Sequence, residues 1–167
     1  MTALRIRDAR PDERDEAAAL TRRAYAEIAD VMTPTTWSAF ERAMNAALAD
    51  PGGAERIVAD DGGRLVGTVL LYPARSIAHP GGKPIAEPEF RLLAVSPDMR
   101  GRGVARALVH ECSRRAKAAG ATTLTLHTSK SFAAAVALYA AMGFARAPEL
   151  DFHPEGAELV QGYRLRL

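Results

Sequence analysis

Apolar and polar residues alternate across Leu4-Arg5-Ile6-Arg7, the period of a short strand with one buried face. At Pro11-Asp12-Glu13 the period changes. A proline and two acids suit the first turn of a helix, whose apolar stripe would run Ala17, Leu20, Ala24 and Ile28. A second helix is predicted after Thr33-Pro34, with Trp37, Phe40, Met44 and Leu48 on one face and Asp50-Pro51-Gly52-Gly53 as its stop. Ile57-Val58-Ala59 and Leu65 to Tyr72 flank Asp61-Gly62-Gly63, a hairpin signal. Prolines and paired glycines make Pro73 to Pro88 an unusually long loop. Then come a strand through Phe90, Leu92, Leu93 and Val95, a helix from Val104, and a strand at Leu124 to His127. An alanine-rich helix, Phe132 to Met142, stops at Gly143. Strands at Phe144 to Arg146 and Val160 to Leu167 end the chain. The order β-αα-βββ-α-β-α-ββ has no repeat and no linker, and by itself predicts an α/β fold with a hairpin-rich first half.

Composition narrows the function classes. At 167 residues the whole chain, 1–167, reads as one domain. A net charge of +2 with no basic run argues against a nucleic-acid partner. No apolar run approaches the roughly twenty residues of a membrane span, and the N-terminus has no secretory apolar core. Cys112, the single cysteine, excludes an internal disulfide and sits on the apolar side of a helix, where packing is its expected role. A cytoplasmic protein is the expectation.

The most specific segment is Glu89 to Gly120. Ser96-Pro97-Asp98 ends a strand, and Gly101 and Gly103 precede a helix whose apolar positions include Val104 and Leu108. A helix N-terminus presents unpaired N–H groups and a positive dipole end, and glycines let an anion approach the backbone. Arg100, Arg102 and Arg106 add guanidinium groups suited to phosphate. No Gly-x-x-x-x-Gly-Lys-Ser/Thr run exists, which excludes a P-loop. A dinucleotide fingerprint would need Gly or Ala where Arg106 stands, and an acid near Thr122 to Leu126. What remains is Arg100-x-x-Gly103-x-Ala105, preceded by LLAVSP and followed by TLTLHT and LYAAMGF. In that order these motifs resemble the Gcn5-related N-acetyltransferases, the GNAT family, with the likeness sharpest from Glu89 to Phe144.

The resemblance implies a mixed, mostly antiparallel sheet with helices on both faces, in which the Phe90 and Leu124 strands run parallel and splay apart around coenzyme A. It implies acetyl-CoA as co-substrate, an amine as acceptor, no metal, and direct attack of the amine on the thioester in a ternary complex. The pyrophosphate would lie on Arg100, Gly101, Arg102, Gly103, Val104, Ala105 and Arg106. Backbone groups of Leu93, Ala94 and Val95 would pair with the pantetheine arm, the Val95 N–H facing the thioester carbonyl. Tyr139 would protonate the departing thiolate, and Glu89, its pKa raised by partial burial, would take the amine proton. Glu87, two residues away on the same strand face, is the rival base. Phe132 departs from the family's frequent asparagine, which leaves Ser129 or Ser131 to cap the helix.

Four histidines, His79, His110, His127 and His153, show no metal-ligand spacing with one another or with Cys112. His127 stands where it could touch ligand. Tyr25, Trp37 and Phe40, on helices that in the family wall the acceptor pocket, read as a core stripe. Glu87, Glu89, Glu149, Asp151 and Glu155 hint at a cationic acceptor. Two alternatives remain: another acyl-CoA donor, or a non-catalytic CoA-binding sensor, against which Tyr139 in its motif argues. The acceptor's identity and whether the chain forms a homodimer are open.

Overall fold

The computed structural model describes residues 3–76, 79, 82 and 84–167. β1 (Arg5–Asp8) leads through a 3-10 turn at Pro11–Glu13 into α1 (Arg14–Ala26) and α2 (Pro34–Ala49). β2 (Glu55–Asp61), β3 (Arg64–Tyr72) and β4 (Glu89–Val95) form an antiparallel meander. α3 (Val104–Ala118), β5 (Thr123–Thr128), α4 (Ala133–Ala141), β6 (Ala145–Arg146) and β7 (Gln161–Arg166) follow. All seven strands join one sheet in the order β1-β2-β3-β4-β5-β7-β6, and only β4 and β5 run parallel. The element order is the predicted one. Part of the Pro73 to Pro88 loop lies outside the described residues.

Strand alternation sends neighbouring side chains to opposite faces, and both faces are covered. On one, Ala17, Leu20 and Ala24 of α1 pack on Val58, Leu65 and Ala94. On the other, Val104, Leu108 and Cys112 of α3 join Ile57, Val69, Leu71, Phe90, Leu124 and Leu126, with Tyr139 of α4. Gly67 sets how closely α3 approaches. A Cβ there would stand 2.8 Å from Val104 Cγ1 and 3.0 Å from Leu108 Cδ1, so the bare backbone lets the helix start lie against β3.

One irregularity interrupts β4. Opposite Thr68 to Leu70 the strand carries an extra residue, and Leu92 adopts φ 54°, a left-handed conformation rare for a leucine. The bulge breaks the alternation. Leu92 packs towards Ala18 and Met44 on the α1–α2 side, while Leu93 and Val95 pack with the α3 core.

Candidate active site

β4 and β5 meet at a single register pair, Glu89↔Thr125, with Thr125 N–H donating to the Pro88 carbonyl at 2.9 Å. Beyond that pair the two strands form no ladder, so a cleft opens between Leu92–Val95 and the end of β5. The bulge helps create it, because an extra residue increases local twist and ends pairing. At its mouth, Gly101 (φ 73°) and Gly103 (φ 80°) hold the left-handed conformations that lead into α3, and Gly103 is the helix N-cap. Nothing lies within 4 Å of where their Cβ atoms would be, so this backbone is bare and open. Arg100, Gly101, Arg102, Gly103 and Arg106 are exposed and Ala105 half-exposed, whereas the Val104 side chain anchors the helix in the core. Arg100 pairs with Glu27 at 2.6 Å, tying the loop to the end of α1.

Tyr139 lies on α4 among Phe90 and Phe144, ring centroids 5.7 and 5.9 Å away, and is 6% exposed. Burial pushes its hydroxyl pKa far up, so the group keeps its proton near neutral pH. Cys112 is fully buried and its thiol is pushed up to about 12 by burial, which removes it as a nucleophile.

At the foot of the cleft Glu89 is fully buried and saturated with donors. His79 Nε2 lies 2.5 Å from Oε1, His127 Nδ1 lies 2.7 Å from Oε2, and Arg91 Nε donates to Oε1 at 2.6 Å. The parallel register explains the meeting: Glu89 and Arg91 on β4 face the same side as Thr125 and His127 on β5. His127 Nε2 bonds to the Leu150 carbonyl at 2.9 Å, and Phe152 stacks on the His79 ring at 5.2 Å. The Arg91 guanidinium in turn covers the Tyr72 ring at 4.1 Å. Ligand-type atoms of His79, Glu89 and His127 all lie within 4.8 Å of one another, the one such cluster among the described residues. Their contacts are direct hydrogen bonds on a carboxylate that also accepts from a guanidinium.

A separate aromatic wall joins α1, α2 and the residue before α4. Tyr25, Phe40 and Phe132 pack with centroids 5.2 to 6.2 Å apart, and Trp37 lies 5.9 Å from Phe40.

The cleft, the glycine loop and the helix behind it can be set beside known proteins. The sequence model of the acetyltransferase (GNAT) family matches residues 19–144. The chain belongs to this family. A mouse protein named probable N-acetyltransferase family 8 member 5 is 38% identical over 91 residues, 53% of this chain and 37% of the relative. Rat N-acetyltransferase 8B is 39% identical over 87 residues, 52% of this chain and 37% of the relative. The chain spans well under half the length of these curated relatives. A GNAT family acetyltransferase from Brucella melitensis, solved with acetyl-CoA, aligns with a TM-score of 0.66 at 19% identity, covering 100% of this chain and 90% of the other. One from Streptococcus agalactiae aligns with a TM-score of 0.74 at 19% identity, covering 98% and 95%. At that identity the likeness is one of fold, and the fold is the GNAT fold.

Within this GNAT chain several expectations change. Glu89 was expected to have a raised pKa. Burial does push it up, but hydrogen bonds from His127 and His79 outweigh that and hold the carboxyl well below its usual range. Glu87 is no rival base: Arg164 donates to it at 2.6 and 2.8 Å and Thr123 at 2.6 Å, which makes it a sheet-locking residue. Glu149 is paired with Arg164 and Asp151 with Arg146, so these acids are taken. Tyr25, Trp37 and Phe40 are half-buried, and Tyr25 and Phe40 pack against the buried residues of α1 and α2, in keeping with the expected core stripe. Neither serine caps α4. Phe132 is its N-cap residue without a side-chain bond, Ser129 Oγ accepts from the Ser131 N–H at 3.0 Å, and Ser131 donates to Glu158. In place of the frequent asparagine, Phe132 contributes a ring to the wall. Sequence reasoning gave Arg91 no role and weighed His79 only for metal spacing. Glu89-x-Arg91 facing Thr125-x-His127 was available once the parallel register is known, but nothing marks His79 in its loop.

Proposed function

We propose that this chain is an acetyl-CoA-dependent N-acetyltransferase, acting in the cytoplasm by direct attack of a primary amine on the thioester in a ternary complex. The observation that carries it is the cleft between β4 and β5, joined only at Glu89↔Thr125, with the bare Gly101 and Gly103 backbone at its mouth. The family of the chain and the acetyl-CoA complex of its Brucella structural neighbour support the same donor.

In this reading the pyrophosphate rests on the N–H groups at the start of α3, where the dipole and Arg102 and Arg106 favour negative charge. Arg100 exchanges Glu27 for a phosphate oxygen. The pantetheine arm lies along the β4 edge at Leu93, Ala94 and Val95, where β5 forms no ladder, beside the Leu93 carbonyl that Tyr25 holds. The amine enters from the α1–α2 side, between the aromatic wall and the Glu89 cluster. Its nitrogen forms a bond to the carbonyl carbon, and the oxyanion takes the Val95 N–H. As the C–S bond breaks, Tyr139 gives its proton to the sulfur. The paired state of Glu149 and Asp151 weakens the case for a polycationic acceptor, and the half-buried wall favours an amine with an apolar body.

The test is thiol release from acetyl-CoA with a panel of arylalkylamines, amino acids, polyamines, aminoglycosides and peptides. Tyr139→Phe keeps the ring and its packing, and turnover should fall about 10²- to 10⁴-fold with coenzyme A affinity little changed. An unchanged rate would reduce LYAAMGF to a packing motif and favour a non-catalytic CoA-binding module.

A further inference from the structure

The hydrogen bonds around Glu89 fix where protons must lie. The Leu150 carbonyl can only accept, so His127 Nε2 carries a hydrogen. His127 Nδ1 then faces Glu89 Oε2 at 2.7 Å, a contact that needs a second hydrogen, on the imidazole or on the carboxyl. Oε1 already accepts from Arg91, so His79 Nε2, 2.5 Å away, is also a donor. The neutral His79 ring is thereby left with its lone pair on Nδ1, which has no hydrogen-bond partner among the described residues. Its side chain is 21% exposed while Glu89 is fully enclosed.

Resting on the acetyltransferase function proposed above, we infer that His79 is the catalytic base, taking the amine proton on Nδ1, and that Glu89 and His127 are its positioning partners. Glu89, enclosed and bonded by three side chains, is a poor proton acceptor and has no open path to the amine. An imidazole whose far nitrogen is gripped by that carboxylate has the orientation and tautomer a base needs, the logic of an acid–base dyad. The groups facing His79 are Glu89 and Arg91 from β4 and His127 from β5, and Phe152 covers one ring face without charge. Burial holds His79 below the ordinary histidine range, against the opposing pull of Glu89, so the ring is neutral and ready near pH 7. Protons balance: as the N–C bond forms, His79 gains the ammonium proton, while the sulfur receives the one from Tyr139. Both side chains then reset by exchange with solvent.

The test follows kcat/KM of the full chain over about pH 5 to 9, with the best amine from the panel. His79→Gln should lose about 10²-fold or more and its profile should lose the acidic limb. Glu89→Gln should also be slow but keep the limb, moved to lower pH, because the carboxylate that favours the imidazolium is gone. A limb unchanged in His79→Gln, or erased by Glu89→Gln while His79→Gln retains it, overturns the assignment to His79. A second readout needs no turnover: long-range 1H–15N spectra should find neutral His79 with its hydrogen on Nε2, and a hydrogen on Nδ1 overturns it. Stoichiometric zinc in the purified protein, lost in His127→Ala, also overturns it, since the three side chains would then be ligands. If wild type acetylates no amine, the proposed function is what fails, and the spectra still decide where the His79 proton lies.

Discussion

The hydroxyl of Tyr25 donates to the backbone carbonyl of Leu93 at 3.0 Å, bridging 68 residues of chain from α1 to the bulged part of β4. The bond joins the aromatic wall to the strand edge on which the donor is proposed to lie. Tyr25→Phe leaves that carbonyl short of a partner. It should cost about 1 kcal/mol, which for a domain of this size lowers the melting temperature by about 2–4 °C. A calorimetric scan with no change would mean that solvent replaces the hydroxyl.

Glycine at 67 should be irreplaceable for a steric reason. A β-branched side chain would meet Val104 and Leu108 at or inside contact distance and push the start of α3 off the sheet. Gly67→Val is expected to destabilise by about 1–3 kcal/mol and to weaken acetyl-CoA binding in titration calorimetry, because the helix start is the proposed phosphate site. Gly67→Ala should do the same to a smaller degree.

Acetyl-CoA at about a hundred times its dissociation constant should stabilise the fold by about 2.7 kcal/mol, a rise in melting temperature of about 5 to 10 °C. Gly103→Asp should abolish the rise. Since nothing lies within 4 Å of the added Cβ, crowding is not the cause; a carboxylate would stand where phosphate belongs. Gly103→Asn is the control, since asparagine tolerates a positive φ and carries no charge. It should keep most of the shift.

Acid should weaken the fold through the Arg7–Glu13–Asp60 network. Arg7 bonds both carboxylates at 2.8 Å, and its hydrogen bond holds Glu13 at about 2 against an ordinary 4.5. Because the folded-state value is the lower one, this stabilisation is fully present above about pH 4.5 and is lost as pH falls through about 2. Glu13→Gln should therefore destabilise the protein at neutral pH and flatten the acid side of its stability curve. Parallel urea titrations of the two proteins at pH 7 and pH 3 would expose an unaltered slope.

By itself the sequence determined the element order, the hairpins and the glycine loop before α3, because each is written in local spacing. Apolar residues at Val104, Leu108 and Cys112 define a helix face, and the two glycines before it define a bare left-handed turn into that helix wherever the rest of the chain lies. The Tyr139 motif was legible for the same reason. Proton chemistry was not. Glu89 read alone is a carboxylate near a strand start, and burial alone would raise its pKa. Only tertiary structure brings His127 beside it from 38 residues away and His79 from a loop, and their bonds reverse the sign. The bulge at Leu92 is likewise invisible in EFRLLAV, since a leucine at positive φ is unfavourable locally and is held there by packing against α1 and α2. Local pattern thus specifies which segments exist and where bare glycine backbone opens a helix. Which side chains share a proton depends on strand register and loop closure, contacts between residues that sequence spacing does not relate.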